Sequence, residues 1–71
     1  MTKIELETCG SVWKILTKPG DKVDAGDILF ILEVMKMEVP YEAPEAGEIA
    51  AVHIAEGEVV EEDQIAVEIT K

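Results

Sequence analysis

GSVWKILTKPGDKVDAGDILFILEV (residues 10–34) and GEIAAVHIAEGEVVEEDQIAVEITK (residues 47–71) lie over one another without a gap when the chain is shifted by 37 positions. Four positions are identical: Gly10 with Gly47, Gly20 with Gly57, Val23 with Val60, and Ile28 with Ile65. Five more are conservative, Val12 with Ile49, Ile15 with Val52, Asp21 with Glu58, Asp24 with Glu61 and Leu32 with Ile69, so nine of 25 agree. Seven of the nine fall on glycines and on apolar positions, where a shared backbone would impose itself. The chain reads as one domain, 1–71, built from two copies of one β unit, repeat halves of about 1–35 and 38–71.

Each half predicts four short strands. In the first they cover roughly 3–7, 11–17, 22–23 and 28–34; in the second, 39–43, 48–54, 59–60 and 65–69. Between them stand KPGD, DAGD, PEAG, AEGE and EED, all turn chemistry. In the second strand of each half, Val12, Ile15 and Thr17 recur as Ile49, Val52 and Ile54. That 3-then-2 spacing breaks strict alternation and predicts a β-bulge in each copy. Neither half can bury its apolar face alone. The expected fold is all-β: a flattened sandwich or barrel of two interleaved four-stranded antiparallel sheets related by a pseudo-twofold axis.

Composition agrees. Eight Val, eight Ile, four Leu and three aromatic residues in 71 favour strands over helices. A chain this short buries only about 60% of its unfolded surface. No apolar stretch approaches the roughly 20 residues of a membrane-spanning helix, and the first residues lack a signal peptide's basic and apolar regions; a cytoplasmic location is expected. Sixteen acids against six lysines and no arginine give a net charge of −10. Such a chain repels nucleic-acid backbones and anionic membranes, so neither is an expected partner. Cys9 and His53 are single, without a surrounding ligand or nucleophile pattern. The glycines lack the GxxxxGK[ST] arrangement of a phosphate loop. No catalytic residue is expected in this chain.

The repeat leaves EVMKME (residues 33–38) standing alone between the halves. It follows the apolar run ILFILEV and precedes VPYEA, so a hairpin tip belongs there. Tight hairpins favour Asn-Gly, Asp-Gly or Gly-X at such a tip; this chain offers Met35, Lys36 and Met37. Subtracting 37 from Lys36 gives a position just before the chain begins, so the lysine turn and the chain termini are pseudo-equivalent places. A twofold axis then presents Lys36 at the end farthest from the termini. The methionines are adaptable apolar contacts suited to recognition, or else core fillers folded back onto the sandwich. Trp13, opposite Ala50 in the repeat, is either a local hydrophobic cover or a partner contact. The acidic clusters EGE (56–58) and EED (61–63) read as solvated loops.

EVMKME, with KPGDKVDAGDILFIL before it and APEAGEIAAVHIAEGEVVEEDQIAVEI after it, resembles the biotinyl domain of the biotin/lipoyl attachment family, the biotin carboxyl carrier domains. The resemblance covers nearly the whole chain. It implies that Lys36 receives biotin through an amide bond and that Met35 and Met37 flank it as recognition residues. It departs from the family at Val34, where Ala or Ser is usual. The nine residues from Thr17 to Ala25 leave no room for the thumb of some carriers, so the likeness is to the thumbless type. The implied cofactor is covalent biotin. The implied partners are a biotin protein ligase, a biotin carboxylase using ATP and bicarbonate, and a carboxyltransferase or decarboxylase, between which the biotin arm shuttles a carboxyl group. The lipoyl branch usually places Asp before its lysine and Ala after it, so the methionines favour biotin. A lipoyl-type acyl carrier and an unmodified structural or recognition β-sandwich are the alternatives.

Overall fold

The computed structural model describes residues 2–70. Their strands are β1 (Thr2–Glu5), β2 (Gly10–Ile15), β3 (Lys22–Val23), β4 (Ile28–Val34), β5 (Met37–Glu42), β6 (Gly47–Val52), β7 (Val59–Val60) and β8 (Ile65–Thr70), and no helix occurs among them. They form two antiparallel four-stranded sheets, ordered β1-β8-β6-β3 and β5-β4-β2-β7. Adding 37 to the residue numbers of β1, β2, β3 and β4 carries them onto β5, β6, β7 and β8. The same operation exchanges the two sheets, each of which takes two strands from each half. The expected interleaved sandwich is therefore the observed one.

The repeat extends to backbone detail. Register shifts between Val12 and Lys14 in β2 and between Ile49 and Ala51 in β6, which places the expected bulges at Trp13 and Ala50. A second matched pair escaped the sequence reading: Leu29 is skipped in the β4–β5 ladder, and Ala66 in the β1–β8 ladder. These bulges let two consecutive side chains face inward, Leu29 with Phe30 and Ala66 with Val67, all fully buried. Four strand ends fall short of expectation. β1 stops at Glu5, β5 at Glu42, and the matched β2 and β6 at Ile15 and Val52; after Ile15, Thr17 Oγ1 donates to Leu29 O and Pro19 offers no backbone donor.

Most of the core consists of pseudo-symmetric pairs: Leu6 with Ala43, Val12 with Ile49, Val23 with Val60, Leu29 with Ala66, Phe30 with Val67, and Leu32 with Ile69. Volume is unequal across the axis, Leu29 and Phe30 on one side being matched by the smaller Ala66 and Val67. Phe30 fills the difference and stacks on Tyr41, with centroids 4.8 Å apart. Tyr41 in turn holds the β1–β2 loop by accepting a hydrogen bond from Glu7 N at its hydroxyl oxygen. Truncating Phe30 to alanine would cost about 3–5 kcal/mol.

The turns are closed by their own acidic and amide side chains. Lys18 N donates to Asp21 Oδ2 and Asp24 N to Asp27 Oδ2; in the second half Ala55 N donates to Glu58 Oε1 and Glu61 N to Gln64 Oε1. Gly20 and Gly57 hold φ of +96° and +85°, as the turn reading requires. At the next pair the left-handed residue is Gly26 in one half and Asp63 in the other. The acidic clusters are thus more than solvated charge. Glu58 closes a turn, and Glu56 Oε2 accepts a hydrogen bond from Ile15 N of β2.

Candidate functional site

β4 and β5 form the longest ladder in the molecule, from Ile28 opposite Glu42 to Val34 opposite Met37. Only Met35 and Lys36 lie between them, so the hairpin is tighter than expected and β5 begins at Met37 rather than Val39. Both turn residues have positive φ, 51° at Met35 and 65° at Lys36. Two successive left-handed residues in a two-residue loop mark a type I′ turn, whose backbone twist matches that of the strands it joins. For L-residues other than glycine this conformation costs about 1–2 kcal/mol each. The long ladder below holds the turn in it, and the sequence keeps Met and Lys where Asn and Gly would relax it.

The side chains at the tip do not repay that strain by packing. Met35 is 91% exposed and Met37 64%, so neither is a core filler, although burying a methionine would contribute about 1.5–3 kcal/mol. Lys36 is exposed. Among the described residues salt-bridge geometry is met by His53 with Glu68, and by Lys36 with no carboxylate. Exposure alone does not single out Lys36, since Lys3, Lys14, Lys18 and Lys22 are exposed as well. Among these it alone stands on a left-handed turn.

What supports the turn from below is Val34. It is half-buried against the core, and its Cγ2 lies 3.0 Å from where a Cβ on Gly10 would sit. The absence of that Cβ makes the room a β-branched residue needs beside the tip. One step down the ladder, Glu33 stands opposite Glu38 with both side chains exposed. Like charges directly across an antiparallel pair are unfavourable, so an acidic collar sits beneath the lysine without benefit to the hairpin. Pairing geometry revealed this collar; the linear sequence separates its members by five positions.

Cys9 is free and exposed, and His53, just past the end of β6, is a surface histidine whose Nε2 pairs with Glu68 Oε2 on β8.

The family model described as "Biotin-requiring enzyme" matches residues 3–69. Pyruvate carboxylase of Bacillus subtilis (strain 168) is 44% identical over 62 residues, 87% of this chain and 5% of that protein. The biotin/lipoyl attachment protein of the same organism is 34% identical over 67 residues, 94% of this chain and 92% of that protein. The chain thus spans a small part of the first relative and nearly all of the second. The solution structure of the lipoyl domain of the 2-oxoglutarate dehydrogenase complex from Azotobacter vinelandii superposes with a TM-score of 0.87 at 22% identity, covering 100% of this chain and 98% of that one. At that identity the likeness is one of fold.

Proposed function

Since the chain belongs to the biotin/lipoyl attachment family, with covalently attached biotin as its cofactor, we propose that it is a biotin carboxyl carrier domain, that Lys36 is the attachment residue, and that Met35 and Met37 are read by the enzymes that handle it. The carrying observation is the type I′ turn that holds Lys36 between two exposed methionines at a conformational cost. Strain kept at an exposed tip, with no packing gained, is the mark of a segment maintained for a partner.

The residues present fit the group. A primary amine on an exposed two-residue loop can enter a ligase's site without displacing any contact of the fold. Deprotonated there, Lys36 Nζ is the nucleophile toward the carboxyl carbon of a biotinyl-adenylate: the C–N bond forms as the bond from that carbon to the phosphate oxygen breaks, AMP leaves with the electron pair, and the product is a neutral amide. Met35 and Met37 supply unbranched, polarizable surface that can adapt to successive pockets. Bound biotin offers a ureido nitrogen able to hold a carboxyl group, which the carrier moves from a biotin carboxylase site to a carboxyltransferase or decarboxylase site. The β4–β5 ladder keeps the tip rigid while the lysine side chain supplies freedom of motion. In this reading 1–71 is one carrier domain working in the cytoplasm, and catalysis belongs to its partners.

The likeness in fold to a lipoyl domain and the name of the biotin/lipoyl attachment protein support a second reading, attachment of lipoyl to the same lysine. One experiment separates the readings. The domain is incubated with biotin protein ligase, biotin and ATP, and in parallel with lipoate ligase, lipoate and ATP, and intact mass is measured. A single biotin adduct on the wild type, absent from Lys36→Arg with an unchanged circular dichroism spectrum, is the expected result. A full adduct on Lys36→Arg, or lipoylation without biotinylation, would overturn it.

A further inference from the structure

Tyr41 stands where the other half has Ile4, and both are half-buried against the core. The fold requires an apolar side chain at this place; the phenol hydroxyl is an addition. Its oxygen accepts from Glu7 N, while its own proton goes to no acceptor among the described residues. Tyr41 is one wall of a groove of about 470 Å³, lined otherwise by Glu7 and Thr8 of the β1–β2 loop and by Val39, Pro40 and Glu42 of β5. That volume is in the range of small-molecule sites. β5 is the edge strand of its sheet, so consecutive residues line the groove, and it runs beside the Lys36 hairpin. On the other half Val39 and Pro40 are matched by Thr2 and Lys3, so the fold does not require this wall to be apolar.

We propose that this groove is a resting site for the biotin arm of the same molecule, holding the bicyclic ring while the domain is between enzymes. The inference rests on the carrier reading above. Reach allows it. About ten bonds separate Lys36 Cα from the ring system, roughly 12 Å when extended, against roughly 10 Å along the strand from Lys36 to Val39 and 16 Å to Tyr41. Chemistry allows it too. The ring has an apolar thioether side, which Val39 and Pro40 can cover, and a ureido group with two N–H donors and one carbonyl. The Glu7 and Glu42 carboxylates and the Thr8 hydroxyl, which itself donates to Cys9 O, are acceptors for those donors. The uncommitted Tyr41 proton is a donor for the carbonyl. Other occupants fit less well. The carboxylates repel an anion and the acidic surface of a second copy. Pro40 interrupts the row of backbone donors on the β5 edge, which opposes an added strand. A dithiolane ring has no N–H to offer the acceptors. The tether also supplies the ring at an effective concentration on the order of mM, so an affinity too weak to hold free biotin suffices.

Amide and methyl NMR spectra of the isotope-labelled domain are compared before and after treatment with biotin protein ligase, biotin and ATP, with intact mass establishing a single adduct. Attachment itself shifts residues 35–37. A docked ring should also shift Glu7, Thr8, Val39 and Tyr41, and should give cross-relaxation between biotin ring protons and the Val39 methyls. Tyr41→Phe removes the hydroxyl. Val39→Thr installs the residue that the matching strand carries as Thr2, and leaves the bond from Glu7 N to Tyr41 in place, so it separates docking from a loosened loop. The unmodified spectrum of each variant shows that the strands are kept. In both biotinylated variants the shift at Thr8 should shrink in step with the docked population, and streptavidin should capture the arm faster than in the wild type. Shifts confined to residues 34–38 when one adduct is present, or a Thr8 shift and a capture rate equal in the wild type and both variants, would overturn the resting site. Absence of any adduct would instead overturn the carrier reading on which it rests.

Discussion

Met35 and Lys36 occupy consecutive left-handed backbone conformations, φ 51° and 65°, at the tip of the β4–β5 hairpin. A type I′ turn favours Asn-Gly at these two places. Replacing Met35→Asn with Lys36→Gly should therefore stabilise the domain by about 1–2 kcal/mol, visible as a Tm rise of about 4–8 °C per kcal/mol for a chain of this size. The same protein should take up no biotin. A thermal melt paired with intact mass checks both halves, and a lowered Tm would mean that the turn is not strained.

Met35 and Met37 test whether the tip is read by partners. Leucine at both positions preserves volume and apolarity, a swap that costs under about 1.5 kcal/mol even in cores. At 91% and 64% exposure the effect on Tm should be within a few degrees. Ligase labelling should slow, because branched leucine adapts less well to a pocket than unbranched methionine. Labelling rate and melting temperature measured on one preparation decide the matter: unchanged labelling would remove the methionines from recognition.

Gly10 and Gly47 are kept by closeness of approach, since neither has a positive φ. A Cβ on Gly10 would fall 2.7 Å from Glu33 O, and one on Gly47 2.5 Å from Thr70 O. Backbone carbonyls in a ladder cannot step aside. Gly10→Ala and Gly47→Ala should each destabilise by about 1–3 kcal/mol. Urea denaturation of the two variants should give similar losses; a loss at one position alone would show that the matched geometry does not carry matched energy.

Glu56 has no counterpart in the first half, where the equivalent residue is Pro19. Its carboxylate accepts from Ile15 N, 3.0 Å away, at the end of β2. Glu56→Ala should cost about 0.5–1 kcal/mol, the modest value of an exposed bond. Amide exchange at Ile15 should quicken most in that variant. Uniform acceleration throughout β2 would instead point to a general loosening.

The eight strands, the exchange of sheets by a 37-residue shift, the first pair of bulges and the lysine hairpin were legible in the sequence, because alternation, glycine placement and repetition are local properties of the chain. Lys36 and its methionines stood out for the same reason: they broke a local rule. Tertiary structure alone decided the rest. The second bulges at Leu29 and Ala66 lie inside runs too uniformly apolar to show a phase change, so only the pairing of β4 with β5 and of β1 with β8 exposes them. The collar of Glu33 and Glu38 joins β4 to β5, and the bond from Ile15 N to Glu56 joins β2 to the turn before β7. Such neighbours are made by register, and register is set when two apolar faces close on one core, beyond the reach of any single stretch of sequence.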